Sequence, residues 1–189
     1  MDTAELAAIR AVLGRAYADD PLTSWIFRAA GTRADSCAAW YGLFAEAYAR
    51  SGHVTWLPAD RAVCLWRGPD DAPLEWPPMP SVSGLLAALA GPEQAATVGD
   101  GLHLISDVVP PPPFVYVNFL AVDPDRQGAG SGARALRPAL DAAGAAGVGV
   151  HLESTNPRNH TFYGRLGFVP GKQLAIADGP ILTTMWRAP

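Results

Sequence analysis

The sequence predicts a mixed α/β chain in which helices come first and a strand–helix–strand unit follows. Three observations carry this. Apolar residues recur at helical spacing over 3–18 and 33–50. The segments "HVTWL" and "RAVCLWR" flank "PAD" as the arms of a hairpin would, over about 53–57 and 61–67. The run "FVYVNFLAV" (114–122) enters a glycine-rich loop and an Ala/Leu-rich segment before a second apolar run, "VGVHLES" (148–154).

Each element has a local reason. In 3–18, Leu6, Ile9, Val12, Leu13 and Tyr17 share a helical stripe, and Thr3 is placed to cap it. "DDPLTSWIF" breaks that helix at Pro21. Residues 33–50 form a second helix with Trp40, Phe44 and Tyr48 on one stripe, a spacing that reads as core. After the hairpin, "GPDDAPLEWPPMPSVS" holds five prolines in sixteen residues. That density excludes regular structure, so 69–82 reads as a loop or lid beside a site. Residues 83–109 hold two helical pieces split by Gly91-Pro92, and "PPPP" (110–113) stops the second. The strand 114–122 is apolar nearly throughout, as expected for burial on both faces. A helix follows over 128–146, with Pro138 expected to kink it. "NPRNHTFYGRLGF" starts a short helix that ends near Gly167 in a left-handed cap, and "ILTTMWR" (181–187) is the last strand.

Composition narrows the function. The chain has 189 residues, 49% apolar and 17% charged, with a formal net charge of −4. This fits a single globular domain over 1–189. Basic residues form no run, and only one of the fourteen is a lysine, Lys172, so nucleic acid is not an expected partner. A mildly acidic chain suits a cationic small molecule. Cys37 and Cys64 form no CxxC pair and read as core thiols. No basic-then-apolar leader and no apolar run of about 18 residues is present. A cytoplasmic protein without membrane contact is the expectation.

The glycine loop "DRQGAGSGARAL" (125–136) stands at a strand-to-helix junction. A helix N-terminus leaves N–H groups unpaired and carries partial positive charge, and glycines let those groups approach an anion. The loop therefore reads as a phosphate cradle. A nucleotide-binding P-loop is excluded because no Gly-Lys-Ser/Thr follows. A dinucleotide fold is a rival: Gly128, Gly130 and Ala133 fit GxGxxG/A, and Glu153 ends the next strand where a ribose-binding acid belongs. Against it, five residues (123–127) separate the strand from the first glycine, and only 36 residues follow Glu153.

A third reading covers more of the chain. Gln127, Gly130 and Gly132 fit Gln/Arg-x-x-Gly-x-Gly/Ala, and downstream Asn156, Tyr163, Gly167 and Phe168 supply a second motif. Together these resemble the GNAT N-acetyltransferase superfamily. Within it, Pro138 in mid-helix, "AAGVGVHLES" leading into "PRN", "FYGRLGF" and "AYADDP" are similar to puromycin N-acetyltransferase-like members. The clear match spans 114–168. The chain departs in beginning with helix where the superfamily usually opens with a strand, and in its "PPPP" at 110–113.

The resemblance implies a mostly antiparallel mixed sheet flanked by helices, with the first edge strand missing. It implies an acetyl-CoA-binding core over 114–168 and acceptor-side helices and hairpin over 1–110. It implies acetyl-CoA as co-substrate, with its pyrophosphate on Gly128, Ala129, Gly130, Ser131 and Gly132 beside Arg126 and Gln127. The pantetheine arm would pair along Leu120, Ala121 and Val122, and Asn156, Asn159 and Phe162 would complete the site. Tyr163 matches the superfamily's general acid. Glu153 is placed to take the amine proton or to hold a cationic substrate. His151 lies two residues earlier on the same face, and Asp19, Asp20 and Asp107 are further candidates for binding a cation. The expected activity is direct acetyl transfer to the amine of a small molecule. Alternatives are a peptide or protein N-acetyltransferase and a non-catalytic CoA-binding module. A homodimer is one way to cover the sheet edge left by the missing strand.

Overall fold

The computed structural model describes residues 1–72, 74 and 82–189. Helix α1 (Thr3–Tyr17) starts from a capping box: the Asp2 carboxylate accepts from the Glu5 N–H, and the Glu5 carboxylate accepts from the Asp2 N–H. Asp2, not Thr3, is therefore the cap. Asp20 caps α2 (Pro21–Ile26), where Pro21 sits in the first turn. Sequence alone marks Pro21 only as a break. Helix α3 (Arg33–Ser51) leads into the hairpin of β1 (His53–Leu57) and β2 (Ala62–Arg67). The proline-rich segment expected over 69–82 lies largely outside the described residues. Helices α4 (Val82–Ala90) and α5 (Pro92–His103) follow, split at Gly91 as expected.

The second half is β3 (Phe114–Val122), α6 (Ser131–Ala146), β4 (Gly149–Ser154), α7 (His160–Arg165), β5 (Val169–Ala175) and β6 (Ile181–Arg187). Helix α6 continues through Pro138, which lies on its exposed face. At the end of α7, Gly167 has φ +88° and the Phe168 N–H reaches back to the Tyr163 carbonyl. Strand β5 was not expected. It is exposed at nearly every position and carries a proline and a glycine, so it shows no alternation.

The six strands lie in the order β1-β2-β3-β4-β6-β5, and every neighbouring pair is antiparallel except β3–β4. No strand precedes α1 among the described residues. Strand β2 shows how the two cores are divided. Val63 and Leu65 face a cluster with α1 and α3, including Ile9, Leu13, Trp40 and Tyr48. Ala62, Cys64 and Trp66 face the opposite cluster with Ala135, Leu136 and Ala139 of α6. This is the period-two alternation of a strand buried on both faces. Fully buried side chains such as Leu13 and Leu136 each stabilise the fold by about 1.5–3 kcal/mol. The thiols sit one in each cluster, and burial pushes both up, Cys37 to about 11. Strand β3 corrects an expectation: its first residues are buried, but most positions from Asn118 onward are partly exposed.

Candidate active site

The exposure of β3 has a simple cause. Strand β3 pairs with β4 only through Phe114–Tyr116 against Gly149–His151. Beyond Tyr116, β3 stays with β2 and β4 stays with β6, so the sheet opens between them. Tyr17, at the end of α1, fills part of the opening. Its hydroxyl donates to the Leu120 carbonyl (3.2 Å) and accepts from the Leu120 N–H (3.3 Å). Burial, then Tyr163 and Asp20, pushes its phenol well above the ordinary range, so it stays protonated.

Two clefts flank the opening. One, of about 670 Å³, is lined by Leu120, Ala121 and Val122 of β3, by Arg126, Gln127, Gly128, Gly130, Ser131 and Gly132 of the loop, and by Asn156, Asn159, Phe162 and Tyr163. The structure thus brings together every residue expected to contact the donor except Ala129. The Ala129 carbonyl instead accepts from Arg134, whose guanidinium also pairs with Asp60 at 2.7 Å and ties the loop to the β1–β2 turn. The Asp60 carboxyl is held below its usual range by that hydrogen bond.

The cradle is main chain. Gly128 and Gly130 have φ of +83° and +76°, and α6 starts at Gly130 with no side-chain cap. Its first N–H groups therefore face the cleft without a side-chain partner. The approach turn is fixed by buried Asp123, which accepts from the Asp125 N–H and pairs with Arg15 and Arg61. Gln127 donates to the Val122 carbonyl at 3.2 Å. Arg158 and Arg165 also line this cleft. With Arg126, they form no salt bridge among the described residues. Of the three, only Arg126 is expected here from sequence, although both others lie inside the motif "NPRNHTFYGRLGF". An uncapped helix end and three guanidiniums without an ion pair among the described residues suit this cleft to an anion.

The second cleft is a cavity of about 850 Å³. Its walls are mainly apolar and aromatic: Trp40, Tyr41, Phe44, Phe119, Leu86 and Ile26 are among them. The stripe read as core, Trp40 and Phe44, thus also faces this space. Glu153 lines the cavity, and both its oxygens are held, Oε1 by His151 Nε2 at 2.7 Å and Oε2 by the Tyr116 hydroxyl at 2.8 Å. Asn118 donates to that hydroxyl in turn. Burial and the Glu153 charge push the Tyr116 phenol well up, which keeps it a donor. His151 therefore orients the carboxylate. Asp20 also lines the cavity, whereas Asp19 lies on the anion cleft and Asp107 is exposed and lines neither. Glu153 and Tyr163 do not share a cleft. Tyr163 is buried, makes no hydrogen bond through its hydroxyl among the described residues, and is held protonated by burial.

A model of the acetyltransferase (GNAT) family matches residues 43–168, more than half of the chain. The chain belongs to the GNAT acetyltransferase family. Its fold is similar to the crystal structure of the histone acetyltransferase HPA2 and related acetyltransferase of Corynebacterium glutamicum. That match has 24% identity and a TM-score of 0.68, over 100% of this chain and 93% of that one. A protein of Pyrococcus horikoshii OT3 matches over the same shares, with 12% identity and a TM-score of 0.57. An agmatine N-acetyltransferase matches over 98% of this chain and 96% of its own, with 15% identity and a TM-score of 0.50. At such identities the likeness is one of fold.

The GNAT match makes this chain an N-acetyltransferase, and enzymes of the family use acetyl-CoA and act on amines. The anion cleft fits such a donor. A Cβ built on Gly128 meets no protein atom within 4 Å, so the space beside that backbone is open. No helix among the described residues is long and apolar enough to cross a membrane.

Proposed function

We propose that this GNAT enzyme transfers the acetyl group of acetyl-CoA to the primary amine of a small molecule with an apolar, aromatic-rich body. The observation that carries this reading is the pair of unlike clefts meeting at the opened sheet. One is cationic and main-chain lined. The other is apolar, with the carboxylates of Asp20 and Glu153 on its wall. A carboxylate in an apolar cavity favours a molecule with one cationic head and a hydrophobic remainder. Glu46 and Arg50, also on the cavity wall, neutralise each other, and Glu46 pairs with Arg10 as well. A second cation on the acceptor would find no unpaired carboxylate beside them among the described residues.

In this reading Leu120–Val122 pair with the pantetheine amides, and Gly128–Gly132 with Arg126 hold the pyrophosphate. Asn156, Asn159 and Phe162 close the cleft, Tyr163 protonates the leaving thiolate, and Glu153 supplies anionic charge to the acceptor side. A phenol held protonated by burial can still give its proton to a thiolate as the C–S bond breaks. The sequence resemblance of 114–168 to puromycin N-acetyltransferase-like members is the reason for including aminonucleosides among the amines to try first.

The test is acetyl-CoA-dependent release of free thiol with a panel of arylalkylamines, aminonucleosides, agmatine, spermidine and N-terminally free peptides. Stimulation by the apolar monoamines is expected, with the dications poorer by about tenfold or more. Stimulation by peptides alone would overturn the reading.

A further inference from the structure

Among the described residues, only Tyr17 and Asp20 line both clefts. Acyl transfer requires the amine nitrogen and the thioester carbon to come within bonding distance, so the reaction must occur at that shared wall. Asp20 is the one carboxylate there. It is 8% exposed. Its Oδ1 accepts from the Leu22 N–H at 2.8 Å, and the Thr155 hydroxyl lies 2.9 and 2.8 Å from its two oxygens. A single hydroxyl proton serves one of those oxygens at a time. No Arg, Lys or His pairs with Asp20 among the described residues. The groups whose titration its charge affects, Tyr17, Tyr41, Tyr163 and Cys37, bring no positive charge. Arg33, which also acts on Cys37, commits its guanidinium to the carbonyls of Phe27, Ala18 and Arg28. A buried carboxylate without a cation is costly, and a ligand ammonium would remove that cost. Glu153 differs in two ways: His151 lies against it, and it lines only the acceptor cavity.

We propose that Asp20 is the catalytic carboxylate of the acceptor side, binding the incoming ammonium at the junction and taking its first proton. The proposal rests on the small-amine reading above and deepens it. Asp20 accepts one proton from the ammonium and becomes the neutral acid. The freed lone pair forms the C–N bond at the thioester carbonyl, and the C–S bond then breaks with its electron pair going to sulfur. The nitrogen gives up a second proton on collapse. Tyr163 protonates the sulfur and is reprotonated by that second proton, so thiol and amide leave and Asp20 returns one proton to solvent. Thr155 is a positioning residue, since its hydroxyl favours the ionised form of Asp20.

The experiment compares wild type with Asp20→Asn at pH 8.5 on one accepted alkylamine, still an ammonium there, and on its β,β-difluoro analogue, whose ammonium has by then lost its proton. Asparagine keeps the cap of α2. The expected result is a loss of about 100-fold in kcat/KM for the ammonium substrate and less than about tenfold for the neutral analogue, with acetyl-CoA affinity unchanged. A wild-type-like D20N, or equal losses on both amines, would overturn the proposal. Should D20N fail to fold, Thr155→Val serves: the acid limb of the kcat/KM profile should move to higher pH, and an unmoved limb would overturn the proposal. Absence of thiol release by wild type with every amine would instead refute the functional reading beneath it.

Discussion

Alanine at Gly128 separates what the cradle does from what its backbone costs. Gly128 has φ +83°, and a Cβ there would meet no protein atom within 4 Å. The penalty in the free protein is therefore conformational alone, about 1–2 kcal/mol for an L-residue in the left-handed region. At about 2–4 °C per kcal/mol for a chain of this size, Tm should fall by roughly 2–8 °C. Gly147 supplies the control. It is also left-handed, at φ +65°, its Cβ would also meet nothing, and it lies outside the cleft at the far end of α6. Gly147→Ala should lose similar stability. Only Gly128→Ala should put a methyl where a phosphate oxygen approaches the main chain. Calorimetric titration with acetyl-CoA should show Kd raised about tenfold or more, roughly 1.4 kcal/mol, in Gly128→Ala and less than about twofold in Gly147→Ala. Equal affinities in the two variants, at equal Tm loss, would refute the cradle.

Tyr163→Phe should lower kcat about 100-fold and leave acetyl-CoA Kd within about twofold, and an unchanged kcat would remove the acid role. Because its hydroxyl makes no hydrogen bond among the described residues, that variant should melt close to wild type. Cys37 and Cys64 are buried with their thiols pushed up, so the native protein should consume almost no aromatic disulfide reagent at pH 8, and both should react in guanidinium. Asp20 also makes a stability prediction without ligand. Burial raises its folded pKa, so no penalty exists below about pH 3.9, where folded and unfolded forms are both protonated. The penalty grows as pH rises through that value and is constant above the folded pKa. Asp20→Asn should therefore raise the Tm of the free protein at pH 7, with a gain that vanishes near pH 3, and a lower Tm at pH 7 would contradict the charge being uncompensated.

What could be read from sequence was whatever repeats locally or sits in a motif. The stripes of α1 and α3, the β1–β2 hairpin and the glycine loop all announce themselves within twenty residues. Helix α2 does not: six residues are too few for a period, and Asp20-Pro21 serves equally as a break and as a cap with a first-turn proline. Strand β5 does not either, because it is held by β6 across an irregular register between Pro170 and Gln173 and shows water most of its length. Apolar content made β3 look buried throughout. Its exposure follows from where β4 stops pairing, which the apolar pattern of β3 does not reveal. The acceptor side was least legible. Asp20 was one of several acids with nothing to separate them, until the chain brought α1, α2, the end of β3 and Thr155 together.

The fold sorts charge between its clefts in a way the net charge of −4 conceals. Arg126, Arg158 and Arg165 and an open helix end line the cleft on one side of the splayed strands, Glu153 lines only the cavity on the other, and Asp20 lines both. The seam between them exists because β3 keeps β2 and loses β4 after Tyr116. That leaves main-chain N–H and C=O groups of β3 without a strand partner, which is costly unless something else meets them. At Leu120 the Tyr17 hydroxyl meets both, through contacts of 3.2 and 3.3 Å. A donor whose amide arm pairs with this edge competes at that point with one hydroxyl rather than with a neighbouring strand. The same phenol belongs to the wall that separates donor from acceptor, beside Asp20. Engagement of Leu120 by the donor would therefore release the Tyr17 hydroxyl where the two clefts meet, so occupancy of one cleft alters the wall of the other.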